Sequence, residues 1–202
     1  MARDEERRRR AAETPIVGGL PDAPGILAAM RLSHGLASHL RGLADELLVN
    51  EYPGATLTRA ERELIATAVS AGDDCFYCMD SHGCFAGELL RRGGERDVDA
   101  LVDAVKNGDG TRLSAKMRAL VGVARTVQRR ARSLTRDDVA RALDAGATDA
   151  DTQLAVLIAS AWCMYNRMVD GLRAPTPSSA DAYRARAVEI AEHGYSGSRA
   201  AK

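Results

Sequence analysis

Aromatic residues are scarce in this sequence, at 4% of its 202 residues. β-Sheets are enriched in aromatic and β-branched side chains, so a chain with few aromatic residues is poorly suited to form one. Alanine, leucine and arginine, which all favour helices, are plentiful instead. We therefore predict an all-α fold whose helices pack closely through small side chains.

The sequence also lacks an excess of charge of either sign, since 28 basic and 28 acidic residues give a formal net charge of zero. This balance gives no electrostatic reason to expect a nucleic-acid or membrane partner. The longest apolar run, residues 154–165, is shorter than the roughly 20 residues that span a bilayer. The N-terminus has no apolar stretch of the kind found in secretion signals. We expect a cytoplasmic protein whose four cysteines are reduced thiols.

Motifs of serine hydrolases, zinc proteases and phosphate-binding loops are absent as well. What the chain does contain is Cys75-x-x-Cys78-x-x-x-His82. Two thiols at this spacing can form and break a disulfide with little backbone movement. On a helix that turns by about 100° per residue, the two cysteines and the histidine lie within about 60° of one another. The pattern predicts a redox-active pair beside a proton acceptor.

The two cysteines are not equivalent in this pattern. Asp73 and Asp74 directly precede Cys75, and their charges oppose its ionisation. Cys78 has His82 at the i+4 position, where the imidazole can accept the thiol proton, and the start of a helix favours a thiolate. We predict that Cys78 is the attacking thiol and Cys75 its resolving partner.

Three segments are expected along the chain. Residues 1–25 form a flexible, charged tail and an irregular connector; residues 26–174 form a helical domain with the cysteine motif; residues 175–202 form a last helix and tail. Within the domain, a first helix is predicted from Ile26 to about Val49.

Residues 57–64 and residues 113–120 are similar in sequence, which indicates a weak internal duplication. Both segments begin with leucine followed by a hydroxyl residue, and both have arginine at their sixth position and leucine at their eighth. In the first copy, Thr58 and the residue three positions later form a capping-box pattern that predicts a helix start. Glu63 lies in this copy, and Ala119 takes its place in the second. Only the first copy therefore has an ionisable side chain at this position that could take part in a reaction.

The cysteine motif follows Glu63 after eleven intervening residues. This pattern resembles the AhpD-like alkylhydroperoxidase branch of the carboxymuconolactone decarboxylase superfamily. The likeness covers about residues 26–172 and includes a leading Leu-Thr-x-x-Glu-Arg-Glu-Leu segment and a late Asn-Arg-x-x-Asp-Gly-Leu segment. The resemblance implies an all-α, usually homo-oligomeric protein that needs no metal, flavin or haem.

The resemblance also implies roles for four residues. Cys78 would react with the peroxide, Cys75 would resolve the sulfenate to a disulfide, and Glu63 and His82 would relay the proton. Some members have histidine directly before the second cysteine, where this chain has Tyr77. A relay through that extra imidazole is therefore excluded.

These inferences predict a thiol peroxidase that reduces hydroperoxides and draws electrons from an external dithiol or a disulfide-reducing protein. Two other functions remain open: a disulfide reductase or redox partner that uses the same cysteines, and a non-catalytic helical oligomerisation module. A structural zinc site would need Cys84 as a fourth ligand, but on a continuous helix Cys84 lies about 200° around the axis from His82. Simple packing of both cysteines in a helical core is the remaining alternative.

Overall fold

The computed structural model describes residues 2–197, with side chains described from residue 5 onward, and this part of the chain is all-helical, without a strand. Within this range a short 3₁₀ turn, Ala131–Ser133, accompanies ten α-helices. Their bounds are α1 (Ala2–Ala11), α2 (Ile26–Arg31), α3 (His34–Leu48), α4 (Arg59–Gly72), α5 (Phe76–Arg92), α6 (Val98–Lys106), α7 (Ala115–Arg130), α8 (Arg136–Asp144), α9 (Asp149–Leu172) and α10 (Ala180–Gly197).

The antiparallel pair of α4 and α5 is the centre of the fold, and it positions the cysteine motif. The predicted capping box is confirmed, because the Thr58 hydroxyl accepts from the backbone N–H of Glu61 while the Glu61 carboxylate accepts from that of Thr58. A turn with Asp74 in the left-handed region (φ 56°) reverses the chain, and Cys75 occupies the N-cap of α5. Almost all of α4 is buried, since α5, α7 and α9 pack around it.

The main core fills the space between α4, α7 and α9, and α10 closes the remaining side by packing on α5 and α3. α4 and α7 both begin after a hydroxyl cap, Thr58 and Ser114, each preceded by a buried leucine. The two segments that are similar in sequence therefore adopt the same local structure. Among the described helices, none is both long and apolar enough to cross a lipid bilayer.

The single helix predicted from Ile26 to about Val49 is wrong, because two helices occupy this stretch. Ser33 has an extended backbone and its hydroxyl accepts from the N–H of Leu36, so a new helix begins there. Leu32, Leu36 and Leu43, which the leucine periodicity assigns to the core, are exposed. The buried face of α3 is formed instead by Ala37, Leu40, Ala44, Leu47 and Leu48.

The charged N-terminal segment also differs from the solvated tail that the sequence suggests. Its residues 2–11 form α1, and the Arg7 guanidinium donates to Asp80 at 2.8 Å. Asp80 is 2% exposed and also accepts from Lys106 at 2.6 Å. A buried carboxylate needs such partners, and the long arginine side chain reaches it from the surface helix.

Candidate active site

The site begins with a contact between neighbouring helices. Glu63 of α4 is 1% exposed, and its Oε2 lies 2.7 Å from Nδ1 of His82 on α5. An ionised carboxylate only accepts hydrogen bonds, so Nδ1 carries the proton and donates it to Glu63. In the neutral imidazole this leaves Nε2 as the acceptor nitrogen. The pair thereby fixes a histidine tautomer whose Nε2 is able to accept a proton. Glu63 does not pair with Arg59, which donates to backbone carbonyls of α10.

A third group that the sequence did not reveal completes this arrangement. The Tyr195 hydroxyl, near the end of α10, donates to Glu63 Oε1 at 2.6 Å and lies 3.4 Å from His82 Nδ1. Burial, followed by the charge of Glu63, raises the pKa of Tyr195 well above its ordinary value. The phenol therefore stays protonated and holds the carboxylate in place. The His82 ring also packs edge-on against Trp162, with 4.9 Å between ring centroids.

Cys78 and His82 line the same narrow cavity, which has a volume of about 50 Å³. Such a space holds a few water molecules or a small peroxide group. Cys78 is 3% exposed and lies in the first turn of α5. The cavity is otherwise mainly apolar, with Ile26, Leu27, Met30, Phe85 and Trp162 in its wall.

Cys75 is fully buried beside Cys78, and both cysteines are reduced thiols. A hydrogen bond with Cys78, burial, and the negative charges of Cys78 and Asp170 raise the pKa of the Cys75 thiol. Partial desolvation raises the pKa of Asp170 in turn, although a hydrogen bond with Cys75 opposes this. The Cys75 thiol therefore holds its proton more firmly than an ordinary cysteine does.

The carboxylate with the strongest effect on Cys75 is not one of the two that precede it in sequence. Asp74 is exposed at the surface near Arg10, and Asp73 accepts hydrogen bonds from Gln128 and Asn166, both at 2.8 Å. Neither caps α5, whose N-cap is Cys75 itself. The carboxylate that acts on Cys75 comes from the late Asn-Arg-x-x-Asp-Gly-Leu segment, whose aspartate is Asp170.

The connector between α1 and α2 covers the cysteine pair. Ala23 of this connector belongs to the same buried cluster as both cysteines, and Gly25 donates its N–H to the Pro175 carbonyl at 2.7 Å. Gly25 has φ 53°, and a Cβ atom at this position would overlap the ring of Tyr77. Glycine is required here both by the backbone conformation and by the ring. Tyr77 thus occupies the space directly under the connector.

Cys84 lies apart from the site, in a separate polar pocket that Asp80 and Lys106 also line. Within residues 2–197, no cluster of three or more His, Cys, Asp or Glu side chains is arranged to hold a metal ion. Cys84 and Cys163 are half-buried.

No protein-family model matches the sequence, and no curated protein matches it. Solved structures do match its fold. One is an uncharacterized peroxidase-related protein from Silicibacter sp. TM1040, with a TM-score of 0.65 and 22% identity over 81% of this chain and 90% of that chain. Another is an alkylhydroperoxidase AhpD-core protein, an uncharacterized peroxidase-related protein from Ralstonia eutropha JMP134, with a TM-score of 0.67 and 21% identity over 91% of this chain and 86% of that chain. These matches confirm the predicted fold class, an AhpD-like helical bundle.

Proposed function

From this AhpD-like fold, we propose that the protein is a thiol-dependent hydroperoxide reductase with Cys78 as its peroxidatic residue. The observation that carries the proposal is the 2.7 Å contact between Glu63 and His82, in which the histidine shares one cavity with Cys78. This geometry provides a base of fixed tautomer in the same cavity as the Cys78 thiol.

In the first step His82 takes the thiol proton of Cys78, directly or through one water in the cavity. The thiolate then attacks the terminal peroxide oxygen, so that an S–O bond forms as the O–O bond breaks. The proton held by His82 passes to the departing oxygen, which leaves as an alcohol, or as water from hydrogen peroxide. Glu63 stabilises the imidazolium that exists between the two proton transfers.

In the second step Cys75 loses its proton and attacks the Cys78 sulfenic acid. An S–S bond forms, the S–O bond breaks, and the hydroxyl leaves as water. The hydrogen bond between the two thiols keeps their sulfur atoms adjacent before the reaction. An external dithiol or a disulfide-reducing protein in a reducing cytoplasm then reduces the disulfide by exchange and is itself oxidised.

A small hydroperoxide fits the site better than a protein disulfide does. The two cysteines are 0% and 3% exposed, and the connector lies over them. A protein partner would have to displace the connector to reach Cys75 or Cys78, whereas a hydroperoxide group can enter the cavity that Cys78 lines. This burial favours peroxide over disulfide as the oxidising substrate.

The proposal includes self-association into a homo-oligomer. Leu32, Leu36 and Leu43 expose apolar surface along α2 and α3, and Leu157 and Met164 do so on α9. Burying such faces between identical subunits would remove apolar area from water. Light scattering coupled to size-exclusion chromatography measures the mass of the particle directly, and a mass of one chain at micromolar concentration contradicts this part.

Free-thiol counting tests the chemistry. One equivalent of tert-butyl hydroperoxide is expected to reduce the number of reactive thiols from four to two in the wild-type chain. Cys78→Ser should lose none, and Cys75→Ser should accumulate a sulfenic acid that dimedone traps at Cys78. Cys163→Ser serves as the matched control and should still lose two. Unchanged thiols in the wild type, or full turnover by Cys78→Ser, would contradict the proposed function.

A further inference from the structure

Reduction of the Cys75–Cys78 disulfide needs more space than the cavity beside Cys78 provides. The two cysteines are 0% and 3% exposed, and the cavity has a volume of about 50 Å³. Thiol–disulfide exchange requires a thiolate of the reductant to attack one of the two protein sulfur atoms. A dithiol has a longer body than a peroxide group, so it reaches these sulfur atoms only when a covering segment moves aside.

Residues 2–25, which we call the strap, cover the cysteine pair. The strap consists of α1 and the connector to α2, and its Ala23 belongs to the same buried cluster as both cysteines. Closer to the N-terminus, Arg10 of the strap lines a small polar pocket together with Asp170, the carboxylate that acts on Cys75. The strap is therefore the segment that has to move before a reductant can approach the cysteines from this side.

The helix that begins the strap has little stability of its own. α1 spans the ten residues Ala2–Ala11, most of which are charged. Isolated helices shorter than about 12–15 residues are marginal in water, and a helix that is polar on all sides has no apolar face to bury. None of the other described helices packs extensively against α1. The position of α1 therefore depends on contacts made by individual side chains.

Arg7 anchors α1 on the helical domain. Its guanidinium donates to Asp80 at 2.8 Å and lies over the rings of Phe76 and Tyr183, with 5.9 Å between Cζ and each ring centroid. Asp80 and Phe76 belong to the first turns of α5, on either side of Cys78 in sequence. Arg7 thus fastens the strap to the helix that contains the reactive cysteine.

Asp80 keeps a cationic partner when Arg7 leaves. Lys106 of α6 donates to the other carboxylate oxygen at 2.6 Å, and this lysine belongs to the helical domain and not to the strap. Removal of the sole partner of a buried charge is strongly destabilising, but a carboxylate that retains one cation avoids much of that cost. The second partner therefore lowers the free energy needed to detach the strap.

The docked strap also leaves one polar group unsatisfied. Tyr183 is 3% exposed, and its hydroxyl is buried without a hydrogen-bond partner among the described groups. Such a hydroxyl destabilises the docked form, because it has lost its bonds to water and has gained none in exchange. Withdrawal of Arg7 from the face of the ring would admit water to this residue, which favours the open form.

We propose that the strap is a gate for the reductant, which opens when Arg7 detaches from Asp80 and then admits the dithiol that reduces the Cys75–Cys78 disulfide. In the docked form the cavity still admits a peroxide group, so the two half-reactions use different forms of the protein. This inference rests on the proposed function for the disulfide, although opening of the strap is measurable in the reduced protein without turnover.

The exchange in the open form takes place in two steps. A thiolate of the dithiol attacks one protein sulfur, and a new S–S bond forms as the bond between the two cysteines breaks. The second thiol of the reductant then attacks the mixed disulfide and releases the remaining cysteine. The protein gains two electrons and two protons, and the dithiol becomes a disulfide.

The kinetic experiment measures the two half-reactions separately by stopped flow, with tert-butyl hydroperoxide as oxidant and dithiothreitol as reductant. The signal is the fluorescence of the single tryptophan, Trp162, which lines the same cavity as Cys78. Arg7→Gln should be reduced about tenfold faster than wild type, as for loss of one charge-assisted hydrogen bond from the docked form, and its oxidation rate should change less than twofold. Arg8→Gln, an exposed neighbour on α1, is the matched control and should equal wild type in both.

A second variant at the same carboxylate should have the opposite effect. Lys106→Gln leaves Arg7 as the one charged partner of Asp80 among the described residues. Opening then leaves the buried carboxylate without a cation, so we expect reduction to be about threefold slower than in wild type. General loosening of the fold would instead accelerate the reduction of both variants.

Amide hydrogen exchange in the reduced protein measures the opening directly. Peptides from residues 2–25 should exchange faster in Arg7→Gln and more slowly in Lys106→Gln, while peptides from α4 should match wild type in both variants. Opposite changes of this kind, combined with no loss of thiols on treatment with the hydroperoxide, would overturn the proposed function and leave the strap standing.

Equal rates of reduction in wild type and Arg7→Gln would overturn the gate, as would faster reduction of both variants. If Arg7→Gln accelerates oxidation as much as reduction, the strap limits the hydroperoxide as well, and its assignment to the reductant is wrong.

Discussion

Tyr195 donates a hydrogen bond of 2.6 Å to Glu63, across 132 positions of the chain. The contact ties the end of α10 to the middle of α4, so the carboxylate accepts from a phenol on one oxygen and from His82 on the other. Asp45 of α3 supports the same end of α10 by accepting from the Tyr195 N–H at 2.6 Å. The C-terminal helix is thus part of the candidate site.

Tyr195→Phe is expected to slow oxidation of Cys78 about tenfold and to alter its pH profile, because Glu63 loses one of its two donors and holds His82 less firmly. Stopped-flow oxidation by tert-butyl hydroperoxide between pH 6 and 9 measures both effects. Tyr183→Phe is the control: Tyr183 is also buried on α10, but its hydroxyl has no hydrogen-bond partner among the described groups. Equal rates in the two variants would show that the Tyr195 hydroxyl is dispensable.

Glu63→Gln should slow the same reaction by about 100-fold, because an amide can donate to Nδ1 and release the imidazole from its active tautomer. The variant keeps the shape of the side chain, so circular dichroism is expected to match the wild type. Glu192→Gln, an exposed glutamate of α10, should react at the wild-type rate. If Glu63→Gln reacts at a rate within twofold of wild type, the carboxylate takes no part in the proton relay.

Asp170→Asn should lower the pKa of Cys75, because it removes a negative charge that raises it. The test is made in the Cys78→Ser background, where alkylation of Cys75 by iodoacetamide is followed by peptide mass spectrometry from pH 7 to 10. Alkylation at a given pH is expected to be faster with asparagine at position 170. Asp74→Asn should have no effect, although it adjoins Cys75 in sequence, because its carboxylate lies at the surface.

Asp151→Ala is expected to destabilise the fold by about 3 kcal/mol at pH 7, from loss of several hydrogen bonds to a charged acceptor. Asp151 is 0% exposed and accepts from the N–H groups of Thr56 and Leu57 at 2.7 and 3.0 Å, and so joins α9 to the start of α4. Burial opposes its ionisation, but the hydrogen bonds from Thr148, Thr56 and Leu57 leave its pKa below the ordinary value.

The lowered pKa of Asp151 determines how its contribution to stability changes with pH. A carboxyl with a depressed pKa in the folded state contributes fully above its unfolded pKa of about 3.9, and the contribution is lost as the pH falls through the folded value. Urea unfolding should therefore show a large difference between wild type and Asp151→Ala at pH 7 and a smaller one near pH 3. Asp149→Ala, exposed in the same turn of α9, should match wild type at pH 7 to within about 0.5 kcal/mol.

Gly25→Ala should loosen the connector over the cysteines, because the added methyl group meets the Tyr77 ring and the backbone has positive φ. We expect a lower melting temperature and faster reaction of Cys78 with a disulfide reagent. Gly42→Ala in α3 is the matched control, since a Cβ there meets no atom within 4 Å and alanine favours a helix. Unchanged thiol reactivity in Gly25→Ala would mean that the connector does not limit access.

Local sequence patterns were sufficient for the α4–α5 pair. The capping box at Thr58 and the one-turn spacing of Cys78 and His82 both depend on neighbours within a few residues, and each is present in the structure. The pairing of Glu63 with His82 is implied by the family resemblance and not by local patterns, and the structure gives its distance.

Contacts between distant segments could not be predicted from such local patterns. Nothing near Tyr195 in sequence distinguishes it from an ordinary residue of a polar tail, and Arg7 belongs to a run of similar charges. Their roles depend on where α10 and α1 dock, which is decided by packing across the whole fold. Ser33 was overlooked for a different reason, because the leucine periodicity on both sides of it suggested one continuous helix.

The close approach of Gly25 to Tyr77 also restricts the order in which these positions can change during evolution. A side chain at position 25 is blocked while the ring is present, but a smaller residue at position 77 removes the steric part of the penalty. Tyr77 must therefore be replaced before Gly25, because in the reverse order the chain passes through a destabilised single variant at position 25. The double variant Gly25→Ala/Tyr77→Ala should accordingly be less destabilised than the sum of its single changes, with the residual cost set by the backbone.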